Sequence, residues 1–126
     1  MILIFGGAYN GKLEFVKRKY KINSDDIFYC RNNVLEYDKK VICGFHIFIK
    51  ECVLNNLNPL EILEENINKL EDKIIICDEI GSGIVPIEKI DRIWREETGK
   101  ALQYLIGKSD YIYRIFFGIE EELGGN

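Results

Sequence analysis

The sequence predicts an α/β fold, a mostly parallel sheet with helices on both faces, and three observations predict it. The run Ile2-Leu3-Ile4-Phe5 is continuously apolar, as a strand covered on both faces must be, and it passes directly into a glycine-rich turn and a helical pattern. A second continuous run, Ile74-Ile75-Ile76-Cys77, recurs far along the chain and ends in two carboxylates. Between and beyond these runs, strand-like and helix-like segments alternate at spacings suited to parallel strands joined by helical crossovers.

Each element follows in turn. Residues 6–11 read as a loop and residues 12–20 as a helix with Leu13, Val16 and Tyr20 on one face. The cluster Lys17, Arg18, Lys19 and Lys21 falls at the end of that helix, where cations suit its dipole. Residues 26–30 read as a second strand, Asn32-Asn33 as a turn, residues 40–43 as a third strand, and residues 45–54 as a helix. Asn58-Pro59-Leu60-Glu61 opens a further helix, with Asn as the cap, Pro at the first helical position and Glu placed to close a capping box. Residues 73–77 form the clearest buried strand. Pro86 then starts a long amphipathic helix carrying Ile87, Ile90, Trp94, Ala101 and Leu105 on one side and stopping at Gly107. Residues 111–117 form a last strand, and the tail 120–126 is expected to fray.

Composition bounds the function. The chain has 126 residues, 47% hydrophobic and 30% charged, which fits one folded domain over residues 1–126 without a disulfide or metal staple. Its net charge of −4 argues against non-specific nucleic-acid binding, which needs a basic excess. The apolar runs are too short to span a bilayer, and the first meets Gly6-Gly7 too soon for a secretory leader, so a cytoplasmic protein without membrane partners is expected. The four cysteines, Cys30, Cys43, Cys52 and Cys77, have neither C-x-x-C nor zinc-ligand spacing and read as reduced core thiols.

The chemistry concentrates after the two buried strands. Gly6-Gly7-Ala8-Tyr9-Asn10-Gly11-Lys12-Leu13 matches the G-x-x-x-x-G-K pattern of a phosphate-binding loop, in the required place between a strand and a helix. Backbone N–H groups of such a loop converge on phosphate oxygens, the helix N-terminus adds favourable potential, and Lys12 would reach the β- and γ-phosphates. A Ser or Thr normally follows the lysine and ligates Mg²⁺, whereas Leu13 has no ligand to offer. Asp78, at the end of the second buried run, is the candidate metal ligand, and Glu79 the candidate group to orient or deprotonate an attacking hydroxyl. Gly107-Lys108-Ser109 also contains G-K-S, but it closes a helix where a phosphate loop must open one.

The same residues resemble a known family. Gly6-Gly7-Ala8, Asn10-Gly11-Lys12 and above all Asp78-Glu79-Ile80-Gly81-Ser82-Gly83-Ile84-Val85-Pro86 look like adenosylcobinamide kinase/adenosylcobinamide-phosphate guanylyltransferase, whose second motif is Asn-Glu-Val-Gly-x-Gly-Ile-Val-Pro. The likeness continues through Arg92, Trp94-Arg95, Gly99, Ala101-Leu102, Gln103 and Ser109-Asp110-Tyr111-Ile112-Tyr113. It implies a phosphate-loop α/β fold like that of nucleoside triphosphate hydrolases, commonly as a homotrimer, acting in cobalamin assembly. Family members phosphorylate a hydroxyl of adenosylcobinamide from ATP or GTP and then transfer GMP through a guanylylated histidine. By position, Gly6, Gly7, Gly11 and Lys12 would bind phosphate; Asp78 stands where the family has Asn, and Glu79 matches the family Glu. Leu13 replaces the family Ser. Residues 30–40 are too short for the helical segment that carries the guanylylated histidine, and the lone histidine, His46, lies among Phe45, Ile47 and Phe48 and reads as a packed side chain.

Two functions follow from this reading. One is a kinase that uses Mg²⁺ with ATP or GTP on a corrinoid acceptor and has lost the guanylyltransferase step. The other is a catalytically inactive relative that serves as a regulatory or oligomeric interaction protein.

Overall fold

A computed structural model describes residues 1–7, 11–80, 88–116 and 119–124. Strands β1 (Ile2–Gly6), β2 (Ile27–Tyr29), β3 (Val41–Cys43), β4 (Ile74–Asp78), β5 (Tyr111–Phe116) and β6 (Ile119–Gly124) form one sheet in the order β2-β3-β4-β1-β5-β6. Every pairing is parallel except β5 with β6. The helices are α1 (Lys12–Tyr20), α2 (Phe45–Leu54), α3 (Pro59–Glu65) and α4 (Lys89–Lys108).

Strict alternation along the strands creates two cores. Leu3, Phe5, Phe28, Ile42, Ile75 and Cys77 face one side of the sheet and pack with residues of α2, α3 and α4. Ile4, Ile27, Val41, Ile74, Ile76 and Tyr113 face the other and pack with Phe15 and Val16 of α1. This division follows from the topology. The chain leaves β1 for the far strand β2 and then returns through β3 and β4 to β5. Right-handed crossovers put the outward trip on one face and the return trips on the other. Residues 30–40, which join β2 to β3, contain no helix and cover the face of α2, α3 and α4 with Leu35 and Tyr37 instead.

Several expectations are corrected. The tail forms β6: Glu122 pairs with Tyr113, Glu121 with Arg114 and Glu120 with Ile115, and Arg18 of the basic cluster reaches Glu120 at 3.5 Å. Asp26 belongs to a 3₁₀ turn, Ser24–Asp26, where it completes a capping box with Asn23. Asn58 caps α3 by accepting from the N–H groups of Leu60 and Glu61; the return bond expected from Glu61 is not among the described hydrogen bonds. The core side of α1 is carried by Phe15 and Val16, and Leu13 and Tyr20 are only half-buried. On α4 the buried positions are Thr98, Ala101 and Leu105, while Ile90 is exposed. That helix begins at Lys89 and runs one residue past Gly107; Pro86 and Ile87 lie outside the described residues, as does Phe117. Lys108 and Ser109 sit at its far end, where the Ser109 hydroxyl donates to the Leu105 carbonyl.

Gly6 ends β1 at φ +151°, and a Cβ there would stand 2.2 Å from the Ile115 carbonyl oxygen of β5. Contact with fixed backbone leaves no room for relief, so Gly6→Ala should lower the free energy of unfolding by about 3 kcal/mol or more, read from urea denaturation.

Candidate functional site

The carboxyl ends of β1, β3 and β4 open one crevice beside the start of α1, the place where parallel α/β sheets bind ligands. Gly11 adopts the left-handed conformation at φ 79° and turns the chain into α1, so that Lys12 occupies the first helical position. The Lys12 side chain is 6% exposed. Its Nζ donates to the Gly7 carbonyl at 2.6 Å and lies 2.8 Å from Asp78 Oδ1. β1 and β4 are neighbours with Gly6 opposite Asp78, which is why the loop lysine and the strand-end carboxylate meet.

His46 completes the group. The left-handed Gly44, φ 81°, turns β3 into α2 and places His46 in its first turn. The Asp78 backbone N–H donates to His46 Nδ1 at 3.0 Å, and His46 Nε2 lies 3.4 Å from Asp78 Oδ2. Burial pushes the imidazole pKa below its usual value, and Lys12 acts in the same direction against the opposing pull of Asp78. Trp94 of α4 donates its indole N–H to the His46 carbonyl at 2.8 Å, and Lys50 lies over the indole ring at 4.7 Å. Gly11, Lys12, Leu13, Glu14, Cys43, Gly44, His46, Ile76 and Asp78 enclose a cavity of about 180 Å³.

The predicted site residues are therefore distributed unevenly. Gly11, Lys12, Leu13 and Asp78 line the cavity, and Gly6 and Gly7 adjoin it. Ala8, Tyr9 and Asn10 lie outside the described residues, as does the glycine turn 81–86. Leu13 packs half-buried against the core under α1. Glu79 does not line the cavity. It accepts from Arg114 Nη2 of β5 at 3.0 Å, and the Nε of that arginine is buried without a hydrogen-bond partner among the described residues. Alternation explains the separation, since successive side chains at the end of β4 point to opposite faces.

His46 was missed because its apolar neighbours suggested simple packing. The signal that would have found it is its place, two residues after the glycine that closes β3, at the carboxyl edge of the sheet.

No set of three His, Cys, Asp or Glu side chains among the described residues is arranged to hold a metal. A divalent cation here would rely on Asp78 together with oxygens from a ligand and water, an arrangement that Mg²⁺ accepts. Among the described residues no helix is long and apolar enough to cross a membrane.

The arrangement defines a class first: an α/β protein whose parallel sheet presents a buried lysine, a carboxylate and an imidazole at its carboxyl edge. The particular family follows from comparison. The family profile described as cobinamide kinase/cobinamide phosphate guanyltransferase matches residues 32–123, most of the chain, and the protein belongs to that family. The match contains His46, Asp78, Glu79 and Arg114 and begins after α1, so Lys12 and its loop stand outside it. No curated protein matches the chain.

The cysteines are thiols whose pKa values burial raises, to about 12 for Cys30 and about 11 for Cys43 and Cys52. Unfolded thiols ionise near 9.0, so above that pH the folded chain binds more protons than the unfolded one. That contribution to stability is fully present below about pH 9 and is lost as pH rises toward about 11 to 12. Urea midpoints should fall across that window, and Cys30→Ser with Cys43→Ser should flatten the slope. At neutral pH iodoacetamide should label the native protein far more slowly than the urea-unfolded one.

Proposed function

We propose that this chain binds ATP or GTP with Mg²⁺ at the crevice before α1 and transfers the terminal phosphoryl group to a hydroxyl of a cobinamide-type acceptor, a step of cobalamin assembly. The observation that carries this reading is the buried Lys12, aimed across β1 at Asp78 from a distance of 2.8 Å. In the bound state Lys12 exchanges its carboxylate partner for β- and γ-phosphate oxygens, while the backbone N–H groups of Gly6, Gly7, Ala8, Tyr9, Asn10, Gly11, Lys12 and Leu13 cradle the chain of phosphates. Asp78 is the residue that would hold Mg²⁺, which when bound neutralises charge on the phosphate oxygens. Glu79 orients the acceptor hydroxyl and takes its proton as the oxygen–phosphorus bond forms and the bond to the β-phosphate bridge breaks. Arg114 sets where that carboxylate lies.

The guanylyltransferase step is absent in this reading. Two features support that: residues 30–40 have no helix, and the lone histidine is tied to Asp78. A second reading, a catalytically inactive relative acting through protein contacts, is favoured by one observation. Leu13 packs into the core where a hydroxyl ligand is needed.

Calorimetric titration with each nucleotide, with and without Mg²⁺, separates the two. The kinase reading expects Mg²⁺-dependent binding and phosphorylation of adenosylcobinamide. Lys12→Ala should reduce turnover at least about a hundredfold, and Leu13→Ser should raise it several-fold. An unchanged rate in the Lys12 variant would sink the kinase reading. No binding at about millimolar nucleotide would leave the inactive relative standing.

Because Asp78 is the one metal-ligating side chain paired with Lys12, Mg²⁺ alone should give no heat of binding, and its affinity should appear only with nucleotide present.

A further inference from the structure

We infer that the cavity at the amino edge of the sheet is a second binding site, for a ring-bearing monocarboxylate whose carboxylate sits between Lys40 and Lys73. Its place follows from the topology. The parallel strands β1, β3, β4 and β5 begin at this edge, and the residues that enter them, together with the end of β6, border a cavity of about 670 Å³. That volume suits a small organic ligand. The Lys12–Asp78 crevice lies at the carboxyl ends of β1 and β4, so the two sites occupy opposite edges of one sheet.

Charge calls for a ligand here. Lys40 and Lys73 each stand one residue before the register pair Val41 and Ile74, so two lysines reach the cavity from neighbouring strands. Like charges so placed repel, and an anion between them relieves the repulsion. Both heads gather at Asp72: Lys40 Nζ donates to its backbone carbonyl at 2.9 Å, and Lys73 Nζ lies 3.9 Å from its carboxylate. The second distance is too long for a hydrogen bond. The Lys73 side chain is nonetheless only 11% exposed, and no described residue accepts a hydrogen bond from it. An ammonium withdrawn from water without an acceptor is costly, and a carboxylate oxygen at hydrogen-bonding distance removes that cost.

The rest of the lining selects the kind of anion. Asp110 is engaged by the Met1 amino group at 2.8 Å, and that amino group also donates to the Glu71 carbonyl. Asp72, Asp110 and Glu122 bring carboxylates to the cavity beside its ammonium groups. A triphosphate would meet that negative charge along its length, whereas a single carboxylate at the lysine end avoids it. Ile2 and the half-exposed Tyr111 give the wall apolar surface that a ring can cover. Nothing in this site depends on nucleotide binding at the opposite edge.

In ¹⁵N amide spectra of the full chain near neutral pH, indole-3-acetate and benzoate should shift the amides of Lys40, Lys73 and Tyr111 saturably at about millimolar concentration. The amides of Gly11 and Lys12 should stay in place. Acetate, which has the carboxylate alone, should bind at least about tenfold more weakly, and ATP should leave the amino-edge amides unmoved. Lys73→Met keeps the aliphatic stem and removes the charge, and it should weaken indole-3-acetate binding at least about tenfold. Without ligand, that variant should have a urea midpoint equal to or above that of the wild type, because no hydrogen bond is lost. Tyr111→Ala should bring indole-3-acetate down to the level of acetate. The site is overturned by the absence of a saturable shift up to about 50 mM, or by shifts that survive Lys73→Met. A lowered urea midpoint in Lys73→Met also overturns it, since the protein would then satisfy the ammonium by itself. Equal binding of acetate and indole-3-acetate, or an ATP-induced shift at this edge, overturns the ligand class.

Discussion

Lys12 and Asp78 form the contact around which the carboxyl edge of the sheet is arranged. Taking an ammonium and a carboxylate out of water costs several kcal/mol for each ion, and their attraction repays this only when the remaining hydrogen-bonding capacity is filled. Here the Gly7 carbonyl accepts from the lysine, and the His46 imidazole lies 3.4 Å from the other carboxylate oxygen. The pair can form because β1 and β4 are adjacent and in register, with Gly6 opposite Asp78, and because α1 starts one residue after the left-handed Gly11. Strand order, helix start and glycine conformation are thus constraints on one distance. A buried ion pair is weak evidence for stability, since an apolar pair often packs as well. Its persistence at the mouth of a cavity fits a lysine held ready for an anion.

Alternation imposes the second constraint. Cys77 packs under α2, Asp78 turns to the side of α1, and Glu79 turns back and meets Arg114. Two adjacent carboxylates therefore serve two stations on opposite faces of one strand end. In the proposed function a nucleotide and its acceptor approaching from the two sides would meet beyond the carboxyl end of β4, so this separation is compatible with a two-substrate reaction. Arg114 reaches Glu79 because β5 lies on the other side of β1, so the sheet order also sets this second pair.

Much of this was legible in the sequence. The unbroken apolar strands, the helix starting at Lys12 and the cap at Asn58 are local signals, and the structure carries each of them. What was not legible depends on tertiary pairing. Ile119-Glu120-Glu121-Glu122-Leu123 has the composition of a solvated tail; it becomes a strand because β5 offers a free edge and because Arg18 and Arg114 lie near its charges. Thr98 is buried on α4 although its hydroxyl has no described partner, and no periodicity rule predicts a polar side chain at that position. His46 illustrates the same gap. Its neighbours Phe45, Phe48 and Ile49 are fully buried and identify a core helix, yet the histidine sits in the first turn, where a core helix meets the carboxyl edge of the sheet. Position in the topology, more than neighbours in sequence, separates a packed histidine from one that faces a site.

Leu13 bears on how far the family chemistry can extend in this chain. A hydroxyl at that position would supply a cation ligand from α1 itself and make the metal site partly independent of nucleotide. The leucine instead joins the apolar cluster with Phe15 and Val16, so α1 contributes charge through Lys12 and packing through Leu13. Among the described residues the protein ligand that would be available to a cation there is Asp78, one oxygen of which is engaged by Lys12. In the proposed function metal, lysine and triphosphate would thereby be coupled: the ligand that draws Lys12 away would also uncover Asp78 and bring the remaining oxygens with it. Under the proposed function, a loop with leucine at this position would use a metal site assembled by the substrate in place of a preformed one, and Lys12 and Asp78 are the two groups that would have to part for it to form.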